Sequence, residues 1–291
     1  MLMTDTRKKR LALIGTLSAA CIALIGIFTC THKEVAAPAP PHRDYPQIKA
    51  EGILRAVTEY DPISYHATGD TVSGFHYELL NAFASAHGLA CDLSAEMTLG
   101  HQLEGLEKGE YDLIAYGLLA TSEVKDSLLL TVPIVLNRQV LVQRKDTAKN
   151  DTLLIQNQLD LAGKTVHVVK DSPAMLRIRN LGDEIGDTIY IREIARYGAE
   201  QLISLVAHGD IDYAVCDESI AQATLDSLPQ IDISVAIGFT QFHSWAVSKQ
   251  SPALLDSLNT WLEEYEQSKE YRALCRKYGL SPVIPNRSAT Y

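Results

Sequence analysis

In the stretch "YGLLATSEVKD", residues 116–126, a run of strand-forming residues gives way to groups that can do chemistry. An apolar strand, Leu113 to Tyr116, ends in Gly117, and Thr121 and several charges follow. This is the pattern of a pocket lip at the carboxyl end of a strand, where open α/β sheets hold their ligands. Ser172, in "KDSPAM", sits at the start of a predicted helix, where free backbone N–H groups favour an anion. A helix cap and nothing more is the equally simple reading of that serine. Asp217 and Glu218 close another strand, but neighbours at a strand end point in different directions, which argues against a concerted acid–base pair. The nine histidines are scattered without metal-ligand spacing, and the chain has no H-E-x-x-H, no G-x-S-x-G and no phosphate loop. The chemistry on offer is that of binding, with no catalytic residue, metal or cofactor expected.

These residues must be positioned by alternating strands and helices. From Gly52 onward "ILRAVTE" (53–59) reads as a strand and "YELLNAFASAHG" (77–88) as a helix, with Phe75, Leu79, Phe83 and Ala86 on one face. "LACDLSAE" is a strand, "HQLEGLEKG" a short helix, "YDLIAYG" a buried strand, and "LNRQVLVQRK" (136–145) a further strand. "GKTVHVVKDSP" is a strand leading into a helix that Asp171 or Ser172 can cap, with Pro173 in its first turn. "GAEQLISLVAHG" reads as a helix, "DIDYAVCDE" as a strand, and the segment from Ser251 to Leu280 as helical. Alternating elements imply mostly parallel sheets with both faces covered, an α/β fold.

One internal similarity suggests two lobes. "QLEGLEKGEYDLIAYG" begins at Gln102, and "QLISLVAHGDIDYAVCD" begins at Gln201. Each runs from a helix through a glycine, Gly109 or Gly209, to an aspartate that enters a buried strand. Two such lobes facing each other leave a cleft, the preferred place for a small-molecule site.

Composition restricts the partners. The formal charge is −10; residues 1–30 carry four basic groups and one acidic, so the remainder carries −13. That balance excludes nucleic acid and an anionic membrane surface as partners. Arg7, Lys8, Lys9 and Arg10 precede an uncharged run from Leu11 to Phe28 and then Cys30. Residues 1–30 therefore read as a signal anchor, or as a lipoprotein signal cleaved before Cys30 with acylation there; Phe28 and Thr29 fit the second poorly. Either way the basic cluster stays inside and the rest is exported, tethered to the outer side of the cytoplasmic membrane. Residues 31–50 read as an Ala/Pro-rich linker. Cys91, Cys216 and Cys275 are too separated for a zinc site or disulfide framework; buried thiols are expected, with a Cys91–Cys275 bridge as the alternative.

From Ile53 to about Leu280 the sequence resembles the type II periplasmic solute-binding proteins, family 3, the amino-acid-binding type. The segments that carry the likeness are "LRAVTEYDPISYHATGDTVSGFHYELLNAFASAHG", "KGEYDLIAYGLLATSE", "LAGKTVHVVKDSP", "GDIDYAVCDESIA" and "SWAVSK", in the family's order. "IDYAVCDESIA" and "SWAVSK" are also similar to the solute-binding half of membrane-bound lytic murein transglycosylase F. The chain ends about a dozen residues past the last family helix, so that enzyme's catalytic domain is expected to be absent and its cleavage activity is not carried over.

The resemblance implies a two-lobed fold: lobe 1 from 51–138 plus 243–281, lobe 2 from 143–238, a tail from 282–291, and crossovers near 138–143 and 238–245. It implies ligand-binding roles for Tyr60, Tyr65, Gly117, Thr121 and Asp217 beside Ser172, and core packing for Trp245. Asp217 falls where the family pairs the ligand amine. The family's arginine, three residues after the loop threonine, falls on Val124, and Lys125 or Arg138 would have to compensate. A desolvated carboxylate without a partner costs several kcal/mol, about what breaking a buried ion pair costs. The expected ligand is therefore a cation, a neutral solute, or an amine whose carboxyl is masked. The expected function is capture of a small-molecule ligand (amino-acid-like, peptide or cell-wall fragment) for an ABC transporter permease, the membrane being reached through the N-terminus. The alternative is a sensory or regulatory module for peptidoglycan fragments or a partner. A few members of the fold are periplasmic dehydratases, so fold alone does not exclude catalysis.

Overall fold

The computed structural model describes residues 42–145 and 154–283. The readings placed on Cys30 and the run from Leu11 to Phe28 lie outside the described residues. Among the described residues no helix is long and apolar enough to cross a membrane.

Strand β1 (Ile53–Thr58) lies between β4 (Ala90–Ala95) and β5 (Leu113–Leu119), parallel to both. Both β1 and β5 are buried through most of their length, which is why they read as continuous apolar runs rather than alternating ones. A hairpin, β2 (His66–Thr68) and β3 (Thr71–Ser73), precedes helix α1 (Phe75–Ala86), whose Phe75, Leu79, Leu80 and Phe83 enter the core. The first sheet is completed by β6 (Leu128–Leu130), β7 (Val135–Asn137), β13 (Gln241–Ser248) and β14 (Ser281–Pro282), in the order β14-β7-β13-β5-β1-β4 with β6 beside β13. The second sheet has the order β10-β9-β11-β8-β12: β8 (Gln139–Arg144), β9 (Thr165–Val169), β10 (Tyr190–Ile194), β11 (Tyr213–Asp217) and β12 (Ile231–Asp232). This is the α/β, two-sheet architecture expected from the sequence.

The segment read as one strand over 136–145 is two. β7 pairs with β13 in the first sheet, and β8 pairs with β11 in the second. The passage falls on Arg138. Its backbone N–H donates to the Asn137 side-chain oxygen at 3.0 Å, which also accepts from Ser219 N at 3.3 Å, while Arg138 O accepts from Glu218 N. A side-chain amide thus takes over ladder bonds that a continuous strand would have made. The chain returns through Ala236, bridged to Val140, and enters β13 at Gln241. The carboxyl-terminal helical segment is also divided, into Pro252–Tyr265 and Lys269–Lys277, because the Ser268 hydroxyl accepts from Tyr271 N and caps a new helix.

The internal similarity is realised in three dimensions. Helix Leu99–Glu107 leads through left-handed Gly109 into β5, and helix Ala199–His208 leads through left-handed Gly209 into β11. At each joint the aspartate is held by an arginine: Asp112 by Arg43 and Asp212 by Arg144. Residues 43–50, counted with the linker in the sequence reading, belong to the first lobe's packing instead. Helix Tyr45–Glu51 is capped by Asp44, whose carboxylate also accepts from Ala253 N and Leu254 N. Arg43 is 4% exposed and grips Asp112, 2% exposed, through Nε at 3.1 Å and Nη2 at 2.6 Å. Cys91, Cys216 and Cys275 are free thiols.

Arg43→Ala strips the buried Asp112 of its cation and should cost about 3–5 kcal/mol of folding stability. Urea denaturation of both forms checks this; a loss below about 1 kcal/mol would show that solvent reaches Asp112 and compensates it.

Candidate functional site

Four parallel strands point their carboxyl ends at one cleft between the two sheets. The ends of β1 and β5 approach from the first sheet, and the ends of β9 and β11 from the second. Glu59, Asp61, Ser64, Tyr116, Gly117 and Val124 line the first wall, and Lys170, Asp171, Ser172, Cys216, Asp217 and Ser219 the second. His76, His243, Asn137 and Arg138 lie between them.

The loop after β1 is built to hold Asp61. Its Oδ1 accepts from the backbone of Ile63 at 2.7 Å and Ser64 at 2.8 Å, the local bonding that aspartate favours before a proline turn. The loop then docks on the start of α1, where His76 N donates to Ile63 O and Tyr77 N donates to Ser64 O. Gly74 makes the approach feasible: at φ 144°, a Cβ there would lie 2.4 Å from Ser64 O. The result is a carboxylate only 3% exposed whose second oxygen, Oδ2, is buried without a hydrogen-bond partner.

The cleft is electrostatically lopsided. Burial pushes Glu59 well above the usual carboxylate range, and Asp61 and Asp217 push it further. Burial lifts Asp61 to about 6, against the pull of its Ser64 and Ile63 hydrogen bonds and with a further rise from Asp217. Burial raises Asp217 as well, opposed by His243. The Tyr116 hydroxyl is raised by burial and then by Glu59, Asp217 and Asp61. Burial, and then the neighbouring His243, lowers His76 to about 3, so this ring is neutral at physiological pH. Its Nδ1 accepts from Trp245 Nε1 at 2.9 Å, and because an indole N–H only donates, the imidazole proton sits on Nε2.

His243 ties the walls together. Its Nδ1 donates to the Gly117 carbonyl at 2.8 Å and lies 3.9 Å from Asp217 Oδ2. Gly117 must lack a side chain here, since a Cβ would stand 2.9 Å from that ring nitrogen.

The residues singled out from the sequence separate into two groups. Gly117, Ser172 and Asp217 line the cleft. Tyr60 and Tyr65 are not among its lining residues: they pack edge to face at 6.0 Å, and Tyr65 meets Tyr77 at 5.7 Å. Thr121 is used as a cap, its hydroxyl accepting from Val124 N at 3.3 Å. The Ser172 hydroxyl accepts from Ala174 N at 3.2 Å, which is the capping role. Neither proposed substitute for the missing arginine is free for the task. Lys125 is exposed and outside the cleft lining, and Arg138 is engaged by Glu218 through two bonds of 2.9 and 2.6 Å. Val124 is buried against the first lobe's core and faces the cleft. Trp245 is fully buried. Sequence reading missed Glu59, Asp61, His76 and His243. The signal that was available for the first two is the acidic pair in "VTEYDP", at the carboxyl end of the first strand.

Comparison with known proteins gives the following. The family described as bacterial extracellular solute-binding proteins, family 3, matches residues 54–281. A membrane-bound lytic murein transglycosylase F from Desulfosudis oleivorans is 28% identical over 233 residues, covering 80% of this chain and 50% of that protein. One from Ectopseudomonas mendocina is 26% identical over 239 residues, covering 80% and 47%. The chain thus spans about half the length of the curated relatives it matches. Among solved structures, a mutant of ArgBP from T. maritima aligns with a TM-score of 0.68 at 24% identity, covering 80% of this chain and 98% of that one. An ancestral arginine-binding protein bound to arginine aligns with a TM-score of 0.68 at 23% identity, covering 78% and 98%. These structural likenesses show the shared two-lobed fold.

The raised Asp61 has a consequence for stability. A carboxyl with a folded-state pKa of about 6 and an ordinary value of 3.8 favours folding below 3.8, and this contribution is lost as the pH rises through 6. His76 has the opposite sign: its contribution is present above about 6.5 and is lost as the pH falls toward 3. Asp61→Asn keeps the Oδ1 acceptor and removes the charge, so it should stabilise the free protein by up to about 3 kcal/mol at neutral pH and much less near pH 4. Denaturant titrations at both pH values test this, and an equal gain at both would refute the electrostatic origin.

Proposed function

The chain belongs to the bacterial extracellular solute-binding proteins of family 3, and from that premise we propose that its cleft captures a small amine-bearing solute whose carboxyl group is absent or masked. The observation that carries this reading is the pairing of Asp217 on one wall with Val124 on the other. An ammonium group entering the cleft meets a carboxylate whose nearest compensating group is His243, at 3.9 Å. A free α-carboxylate would meet an apolar side chain where a guanidinium fork would supply two charge-assisted hydrogen bonds.

The protein works on the periplasmic side of the cytoplasmic membrane, tethered through residues 11–28 or through lipid on Cys30. The lobes close on the ligand by bending at Arg138 and at the return through residues 236–241. Capture for an uptake transporter is the direct expression of this chemistry. A second reading is favoured by the transglycosylase names of the curated relatives: a sensory or regulatory module that binds amine-bearing peptidoglycan fragments. In both readings the side chains around the cleft bind and orient the ligand and do not turn it over.

A thermal-shift screen of the full chain against amino acids, polyamines, short peptides and muropeptides tests the proposal. A ligand at about 100 times its dissociation constant should add roughly 2.7 kcal/mol of stability. Asp217→Asn should weaken the shift for every amine, and Val124→Arg should admit free amino acids that the natural protein rejects. Undiminished amine binding by Asp217→Asn would sink the proposal. A response confined to muropeptides would select the regulatory reading over transport.

A further inference from the structure

The acidic groups of the cleft exceed what one ammonium needs. Asp217 stands at the end of β11, and Glu59 and Asp61 stand across from it beyond the end of β1. Asp61 Oδ2 is buried without a partner, and Glu59 has no ion-pair partner among the described residues. The basic groups nearby do not neutralise this wall. Arg138 is held by Glu218, Lys170 lies at the exposed rim beside Asp171, and His76 is a neutral ring with its Nδ1 committed to Trp245. His243 spends its Nδ1 proton on Gly117 O and serves only the Asp217 side.

A buried carboxylate oxygen with no donor is a costly feature in a free protein, and a ligand that supplies the donor recovers that cost. From these contacts we infer that the cleft is built for a ligand with two separated cationic centres and no free carboxylate, one on Asp217 and the other on Glu59 and Asp61. The inference rests on the solute-binding reading and deepens it by naming the ligand class. A single ammonium leaves the first-lobe carboxylates uncompensated, and a ligand carboxylate would enter the field of all three acidic groups. Two sources share the required chemistry: a free alkyl diamine, and a basic amino-acid residue whose carboxyl is tied up in an amide.

The test is calorimetric titration of the full chain with cadaverine, lysinamide, pentylamine, free lysine and a neutral disaccharide muropeptide. Cadaverine or lysinamide should bind at least about tenfold tighter than pentylamine or lysine. Their affinity should fall as the pH drops through about 6, because a protonated Asp61 must release its proton to hold a cation. Glu59→Gln and Asp61→Asn should reduce the diamine towards the affinity of the monoamine and weaken pentylamine far less, and Asp217→Asn should weaken both. Tighter binding of cadaverine than lysinamide would identify a free diamine; the reverse would identify a peptide-borne residue, and either supports the inference. Equal affinity for cadaverine and pentylamine would overturn it while leaving the amine-binding reading intact. Preferential binding of the neutral muropeptide, strengthening as the pH falls, would overturn it in favour of protonated carboxyls acting as donors. Silence from every probe would remove the amine-binding reading and this inference together.

Discussion

The chain's passage from one sheet to the other at Arg138 is the constraint on which the rest depends. Asn137 ends a strand of the first sheet and Gln139 begins one of the second. The side-chain amide of Asn137, not a neighbouring strand, accepts the intervening N–H. With the return at Ala236 to Gln241, this gives two crossings and two sheets whose parallel strands end face to face. Strand ends and acidic side chains then meet across a cleft. The same geometry builds the cleft between the two sheets.

Electrostatic tension is concentrated at that meeting. Structural ion pairs elsewhere are matched: Arg43 with Asp112, Arg144 with Asp212, Arg138 with Glu218. The cleft's own carboxylates are not: burial raises all three, and neighbouring acidic groups raise Glu59 and Asp61 further. Sites that must bind a charge are expected to hold such unmet groups, because what destabilises the empty protein is what the ligand relieves. The neutral His76, locked by Trp245, keeps the floor of the cleft from supplying an internal cation.

In the proposed reading, a valine where the family is expected to place an arginine changes what the fold recognises without changing the fold. Val124 packs with Val57, Ile114 and Tyr116, so the loop after β5 is held by apolar contacts and by the Thr121 cap. A valine there stabilises the wall and leaves it uncharged. Specificity in this architecture is carried by single side chains at strand ends, where substitution alters the ligand's surroundings and leaves the sheets as they were.

Much of the architecture was legible in the amino-acid sequence. Alternating apolar runs and helical periodicity disclosed an α/β fold, and the paired helix–glycine–aspartate–strand joints disclosed two lobes, because these signals are local and depend on backbone geometry. The strand-end motifs around Gly117 and Asp217 marked the cleft for the same reason. Only the tertiary structure decided that 136–145 is two strands, that residues 43–50 pack into the first lobe, and that Tyr60 and Tyr65 pack against each other without lining the cleft. It alone brought Glu59 and Asp61 opposite Asp217 and set His76 beneath Trp245. These are contacts between residues up to 210 positions apart, and no local pattern records which strand end a folded sheet will turn toward another, or how much water will remain around a carboxylate once it does.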